Sequence, residues 1–282
     1  MTTLVYVFFY GSFACYALSA VAVSAYLADK GEKFLRWSTG SAGAGSVVLL
    51  AGIVLKGLVL KRLPFTDVSD AFSMLIVFAT LIGLSVAIRG RVPALLCFYV
   101  PPVFALFVAN LFVGPFGVQM SPEGLNWAMM VVHVAPAFFA YALFVVASLT
   151  SMAYIFQVRR LKQMRLTGLF QRLPSLEQLD RMLYSLILAG YIAFTITLVL
   201  GMWWAYFQGN LLNATWWQSP KIWRAVLMVV FYAFAFHSRQ VGWLRGQKLA
   251  YLIFVGFTSL VLLYLGLNVL QLSDYRFWEA SA

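Results

Sequence analysis

Residues 67–113 read DVSDAFSMLIVFATLIGLSVAIRGRVPALLCFYVPPVFALFVANLFV. Two long apolar runs stand here, and the charges near them are Asp67 and Asp70 at the start and Arg89 and Arg91 between them. A membrane-spanning helix needs about 20 mostly apolar residues. Each run meets that length, so the stretch predicts two spanning helices joined by a short basic connection. Pro101-Pro102 predicts a kink in the second, because proline removes a helix hydrogen bond.

The same pattern extends in both directions. Upstream are runs from about Thr3 to Leu27 and from about Thr39 to Leu60; the run of residues 67–113 itself divides into Asp67–Ile88 and Val92–Val113. Downstream are runs from about Trp127 to Phe156, from Ser175 to about Tyr206, from Pro220 to His237 and from Gln247 to Leu272. The fold class expected is therefore all-α, a polytopic transmembrane bundle of about eight spans forming one domain over residues 1–282. Composition supports this: 63% of the 282 residues are hydrophobic and 10% charged, against about 25% charged in soluble domains. So little charge cannot coat a soluble globule of this size.

The net charge of +11 is read as topology rather than as a nucleic-acid footprint, because Lys and Arg gather in alternate loops. Lys30, Lys33 and Arg36 follow the first span, Arg89 and Arg91 the third, the cluster from Arg159 to Arg172 the fifth, and Arg239, Arg245 and Lys248 the seventh. The other loops carry fewer: none after the fourth span, Lys221 with Arg224 after the sixth, Lys61 and Arg62 after the second. Both termini are thus expected outside, with the basic loops inside, where they attract anionic lipid. The start, Met1-Thr2-Thr3, lacks a basic leader and reads as a retained first span. Cys15 and Cys97 lie in apolar runs and form no CxxC or CxxCH motif, so both read as small core residues.

Finer signals sit on this frame. Gly40, Ala44, Ser41 and Gly45 form small pairs four apart, with Gly52 beyond, and predict close helix approach by the second span. Ser175 with Gln178 fits a capping box at the start of the sixth. Lys56 is expected to snorkel to the interface. Asp67 and Asp70 read as a helix N-terminal charge cluster, with a proton or cation site as the alternative.

The chain has two histidines. His133 lies about two turns into its span, roughly 10 Å deep, and His237 roughly 25 Å along its helix from Pro220. The two are at different depths and cannot both ligate one metal ion. Each is either a functional ionisable group or a packing residue. Trp203, Trp204, Trp216 and Trp217 flank the loop before Pro220; they form an aromatic belt or a flat platform for a planar ligand. No Walker A, GxSxG or HExxH pattern occurs, which removes support for nucleotide-driven or hydrolytic chemistry. A solute transporter lacks the intramembrane carboxylates it would need.

The run from Trp127 through His133 to Tyr141 resembles the outer-histidine helix of the CcsA/HemX-type cytochrome c assembly family. Pro220-Lys221, Phe236-His237-Ser238-Arg239, Gly242-Trp243, Gly256-Phe257 and Gly266 to Asn268 resemble that family's last two helices. The likeness covers about residues 60–272. It implies a haem-handling protein of the bacterial plasma membrane, with other cytochrome c assembly proteins or an apocytochrome as partners. It implies that His133 is an outer haem ligand and His237 an inner one, and that Trp203, Trp204, Trp216 and Trp217 line the outer haem surface.

The sequence departs from the family pattern in three places. Gln218-Ser219-Pro220 replaces a tryptophan-aspartate-proline core, and Ile222 stands where a glutamate is expected. Leu272-Ser273-Asp274-Tyr275 lacks the second outer histidine. Met120, Met202 or a partner protein is left to supply that ligand. The departures argue against full haem-to-apocytochrome synthase activity and toward the HemX-like branch. They also motivate an alternative, a haem-free structural or regulatory subunit that keeps the fold.

Overall fold

The computed structural model describes residues 2–28, 31–60, 68–116, 130–164, 169–207 and 220–269. The described chain is helical: α1 Thr2–Leu27, α2 Lys33–Leu60, α3 Val68–Arg89, α4 Leu96–Val113, α5 Ala135–Lys162, a four-residue α6 Leu169–Arg172, α7 Leu176–Phe207, α8 Pro220–Gln240 and α9 Gln247–Val269. A 3₁₀ turn, Pro93–Leu95, leads into α4, and a π-helical turn, Met130–Val134, leads into α5. Among the described residues, six helices are long and apolar enough to cross a membrane: α1, α2, α3, α4 with its leading turn, α5 and α7. The seventh and eighth expected spans fall on α8 and α9, of 21 and 23 residues.

Contacts between helix ends show an up-and-down course. The end of α2 meets the start of α3 through Lys56 and Asp70, and the end of α4 meets the start of α3 through Asn110 and Ser73. At the other face, the end of α5 meets the start of α9 through Arg159 and Tyr251. The face at which α1 begins is called the first face below.

Gly45 and Gly52 decide how α1 and α2 pack, as expected of them, whereas Gly40 and Ala44 are exposed and a Cβ at Gly40 would meet nothing within 4 Å. A Cβ at Gly45 would stand 3.0 Å from the Tyr16 ring, and one at Gly52 3.0 Å from Phe8. Close backbones let hydroxyls meet. Tyr16 Oη lies 2.8 Å from both Ser46 Oγ and Thr80 Oγ1, tying α1 to α2 and α3. Ser19 and Ser38 meet at 2.8 Å, and Tyr99 and Thr150 join α4 to α5 at 2.8 Å. Away from water each such bond contributes about 0.6 kcal/mol. α4 runs as helix through Pro101 and Pro102. The capping box before α7 is present: the Gln178 amide donates to Ser175 Oγ and the Ser175 amide donates to Gln178 Oε1.

Lys56 does not snorkel. It is 4% exposed, and its ammonium lies 2.7 Å from the carboxylate of Asp70, itself 3% exposed. A buried ammonium without a counter-charge costs several kcal/mol, so the carboxylate across the α2–α3 hairpin draws it inward. Asp70 is thereby accounted for; Asp67 lies outside the described residues.

Candidate functional site

α7 acts as a ruler for the two histidines. His133, in the π turn before α5, bonds the Thr197 carbonyl near the end of α7 that lies at the first face. His237 stands two residues from Arg239, whose Nη2 lies 2.6 Å from Asp180 near the beginning of α7. Asp180 and Thr197 are seventeen residues apart, roughly 25 Å along the helix. The structure thus keeps the histidines at opposite ends and does not bring them together.

The π turn has a local cause. Pro136, in the first turn of α5, has no amide hydrogen, so the Val132 carbonyl loses its usual partner four residues on. Ala137, five residues on, still has an amide, and five-residue closure is π geometry. The widened turn carries His133 against α7. There Nδ1 lies 3.0 Å from the Thr197 carbonyl oxygen. A carbonyl only accepts, so Nδ1 carries the hydrogen and donates it. Nε2 is then the unprotonated nitrogen, and it makes no hydrogen bond among the described residues. An imidazole that donates one N–H to a backbone carbonyl and keeps the other nitrogen's lone pair has the usual arrangement of a metal-ligating histidine. The donor set at His133 therefore fits an iron porphyrin.

His237 has another setting. It lies on the exposed stripe of α8 with Trp223, Leu227, Val230 and Phe234, where its ring packs edge-on against Phe236 at 5.1 Å. Beneath that stripe the helix is firmly held. Asp180 accepts from Arg239 and, at 3.3 Å, from the Gly246 amide in the turn to α9. Arg239 also covers the Tyr184 ring at 4.2 Å. Acid and base here fix the α8–α9 turn onto α7, and sequence patterns alone did not single out Asp180.

Of the four tryptophans expected around the loop, Trp203 is described. It is 58% exposed and sits with Ile192, Ile196 and Val199 on the stripe of α7 that faces away from the bundle. Two residues from Gly201, it points to nearly the opposite side of the helix from His133. Trp216, Trp217 and the side chain of Trp204 lie outside the described residues, as do Met120 and the loop of residues 208–219. Met202 is partly exposed, at 41%. Between the two ends, Tyr232 stacks on Phe144 at 3.5 Å, fully buried, and its hydroxyl has no hydrogen-bond partner among the described residues.

Sequence reading missed Thr197 and Gly201. Gly201 is one of two glycines in α7, with Gly190, and no pattern within the helix singles it out.

The sequence matches the family described as Cytochrome C assembly protein over residues 6–273. It is 30% identical to "Cytochrome c biogenesis protein CcsA" of Prochlorococcus marinus (strain AS9601) over 202 residues, 62% of this chain and 63% of that protein. It is 30% identical to "Protein HemX" of Brevibacillus brevis over 126 residues, 44% of this chain and 46% of that one. "Protein HemX" of Bacillus subtilis (strain 168) is 27% identical over 122 residues, 43% of each. The chain thus spans under two thirds of that CcsA protein and under half of either HemX protein.

Proposed function

The chain belongs to the cytochrome c assembly protein family, and from that premise we propose that this multi-pass membrane protein binds or relays haem in the plasma membrane of a bacterium. It acts as an accessory to cytochrome c assembly. The observation that supports this reading is the His133 imidazole, whose Nδ1–H is committed to Thr197 and whose Nε2 is left to a ligand. His133 holds the iron at the first face, with Trp204, Trp216 and Trp217 beside the macrocycle, while Trp203, on the outward stripe of α7, belongs to the aromatic belt. His237 holds it at the opposite face. Haem is cargo here: it brings an iron that accepts imidazole nitrogen, and this chain supplies binding and orientation without covalent chemistry. An apocytochrome or another assembly protein receives it.

A haem titration of the purified protein, read by the Soret band, tests the reading. Wild type is expected to show an imidazole-ligated spectrum that weakens in His133→Ala at equal expression. An unchanged spectrum in both His133→Ala and His237→Ala removes the ligands proposed here.

The second reading is a haem-free structural or regulatory subunit. It draws on His237, whose ring faces out from the bundle rather than into a cleft. No haem uptake by wild type, with a partner complex that co-purifies intact, would replace the first reading by this one.

A further inference from the structure

Resting on the haem-binding reading, we infer that Gly201 is a positioning residue for His133: its missing side chain opens the Thr197 carbonyl to the imidazole, and the resulting bond decides which ring nitrogen is left for a ligand. The argument begins with helix geometry. The carbonyl of Thr197 points along α7 toward the amide four residues on, which is that of Gly201. A carbonyl oxygen has two lone pairs, so one remains after the helix bond. Lateral approach to it is normally obstructed by the side chain one turn further on. At position 201 there is none. A Cβ built there would stand 2.5 Å from His133 Cε1, 3.0 Å from Nδ1 and 3.3 Å from Nε2, well inside the roughly 3.5–4.0 Å of ordinary contact.

The atoms that a Cβ at 201 would meet all belong to the His133 ring, so the ring itself must shift. His133 projects from a helical turn, on a short side chain, and its Nδ1 is held at 3.0 Å. The Thr197 hydroxyl donates to the Ala193 carbonyl at 3.0 Å, and the acceptor that meets His133 Nδ1 is the Thr197 backbone carbonyl. Any residue larger than glycine at 201 displaces the imidazole and breaks the bond to Thr197. Freed, the ring exchanges between its two tautomers, and the lone pair at Nε2 is no longer assured. Gly190, on the same face of α7, provides an internal contrast. A Cβ there would come within 2.5 Å of Phe144 Cε1, not of a histidine. The two glycines make the same kind of space for different neighbours.

The test uses the full-length protein in detergent. Nitrogen-15 NMR of histidine-labelled, haem-free protein reads the tautomer directly, and His237→Ala assigns the two rings. Wild-type His133 is expected as the neutral Nδ1–H form; finding the Nε2–H form in wild type overturns the inference without any variant. Gly201→Ala is expected to lose the fixed tautomer and to loosen haem roughly tenfold, the lower end of what loss of a ligand's supporting partner costs. Gly190→Ala, matched in chemistry, is expected to leave both readouts unchanged. Equal loosening by Gly190→Ala would mean general packing damage and would sink the idea. So would a Gly201→Ala protein with wild-type tautomer and affinity. In a His133→Ala background, Gly201→Ala is expected to change haem affinity no further. If wild type takes up no haem, the haem-binding reading fails by itself, while the NMR arm still decides whether Gly201 sets the ring.

Discussion

The two histidines stand toward opposite faces, and their surroundings differ in kind. His133 is oriented by its own chain: a π turn delivers it, a carbonyl fixes one nitrogen and a glycine makes room. His237 sits on an exposed stripe above the Asp180–Arg239 clamp, and that clamp holds the helix rather than the imidazole. A histidine becomes a prepared ligand when its second nitrogen is assigned, not when it is merely inside a membrane helix. By that standard the structure assigns the second nitrogen of His133 and leaves that of His237 unassigned.

The largest expected effect separates the two directly. His133→Ala should weaken haem binding by at least about a hundredfold, the upper end of the range for loss of a supporting partner. His237→Ala should leave the first-face spectrum in place. Spectral titration checks both, and equal losses would erase the distinction. Next is the clamp. Asp180→Ala strands the Arg239 guanidinium and the Gly246 amide, both only part-exposed, and should cost about 2 kcal/mol of stability, discounted from the 3–5 kcal/mol of a fully buried pair. Thermal unfolding in detergent measures it, and the His133 tautomer should not move. A tautomer that changes would show that the two ends are coupled through α7.

Pro136→Ala restores the missing amide and should let the π turn rewind to α. His133 then swings relative to Thr197, and haem affinity should fall about tenfold; unchanged affinity would mean that the turn is incidental. The smallest effect concerns the middle of the bundle. Tyr232→Phe removes a buried hydroxyl with no partner among the described residues and should stabilise the protein by about 1 kcal/mol. A loss of haem binding instead would place Tyr232 on a path between the ends.

Much of the architecture was legible because it is local. Apolar run length gave the long helices, small residues in α2 anticipated the approach of Tyr16 and Phe8, and Ser175 with Gln178 marked the start of α7. Counting residues also placed the histidines at different depths. What escaped depends on which faces meet. Lys56 looked like a residue reaching for the interface, since nothing on its own helix reveals Asp70 across the hairpin. Thr197 and Gly201 have no special pattern within α7, and their role exists only against the turn before α5. The tryptophans showed as a cluster in the sequence, but Trp203 turns away from His133, because adjacency along a helix is not adjacency on one face.

The bond from His133 to Thr197 joins residues 64 positions apart. Chains emerge from the ribosome N-terminal end first, so the histidine is made, and its helix begun, well before its acceptor exists. Until α7 has been synthesised and has packed against α5, neither ring nitrogen is committed. The order of manufacture therefore delays the fixing of the His133 ring until all but the last two long helices are in place, and a half-built chain carries that imidazole with neither nitrogen assigned.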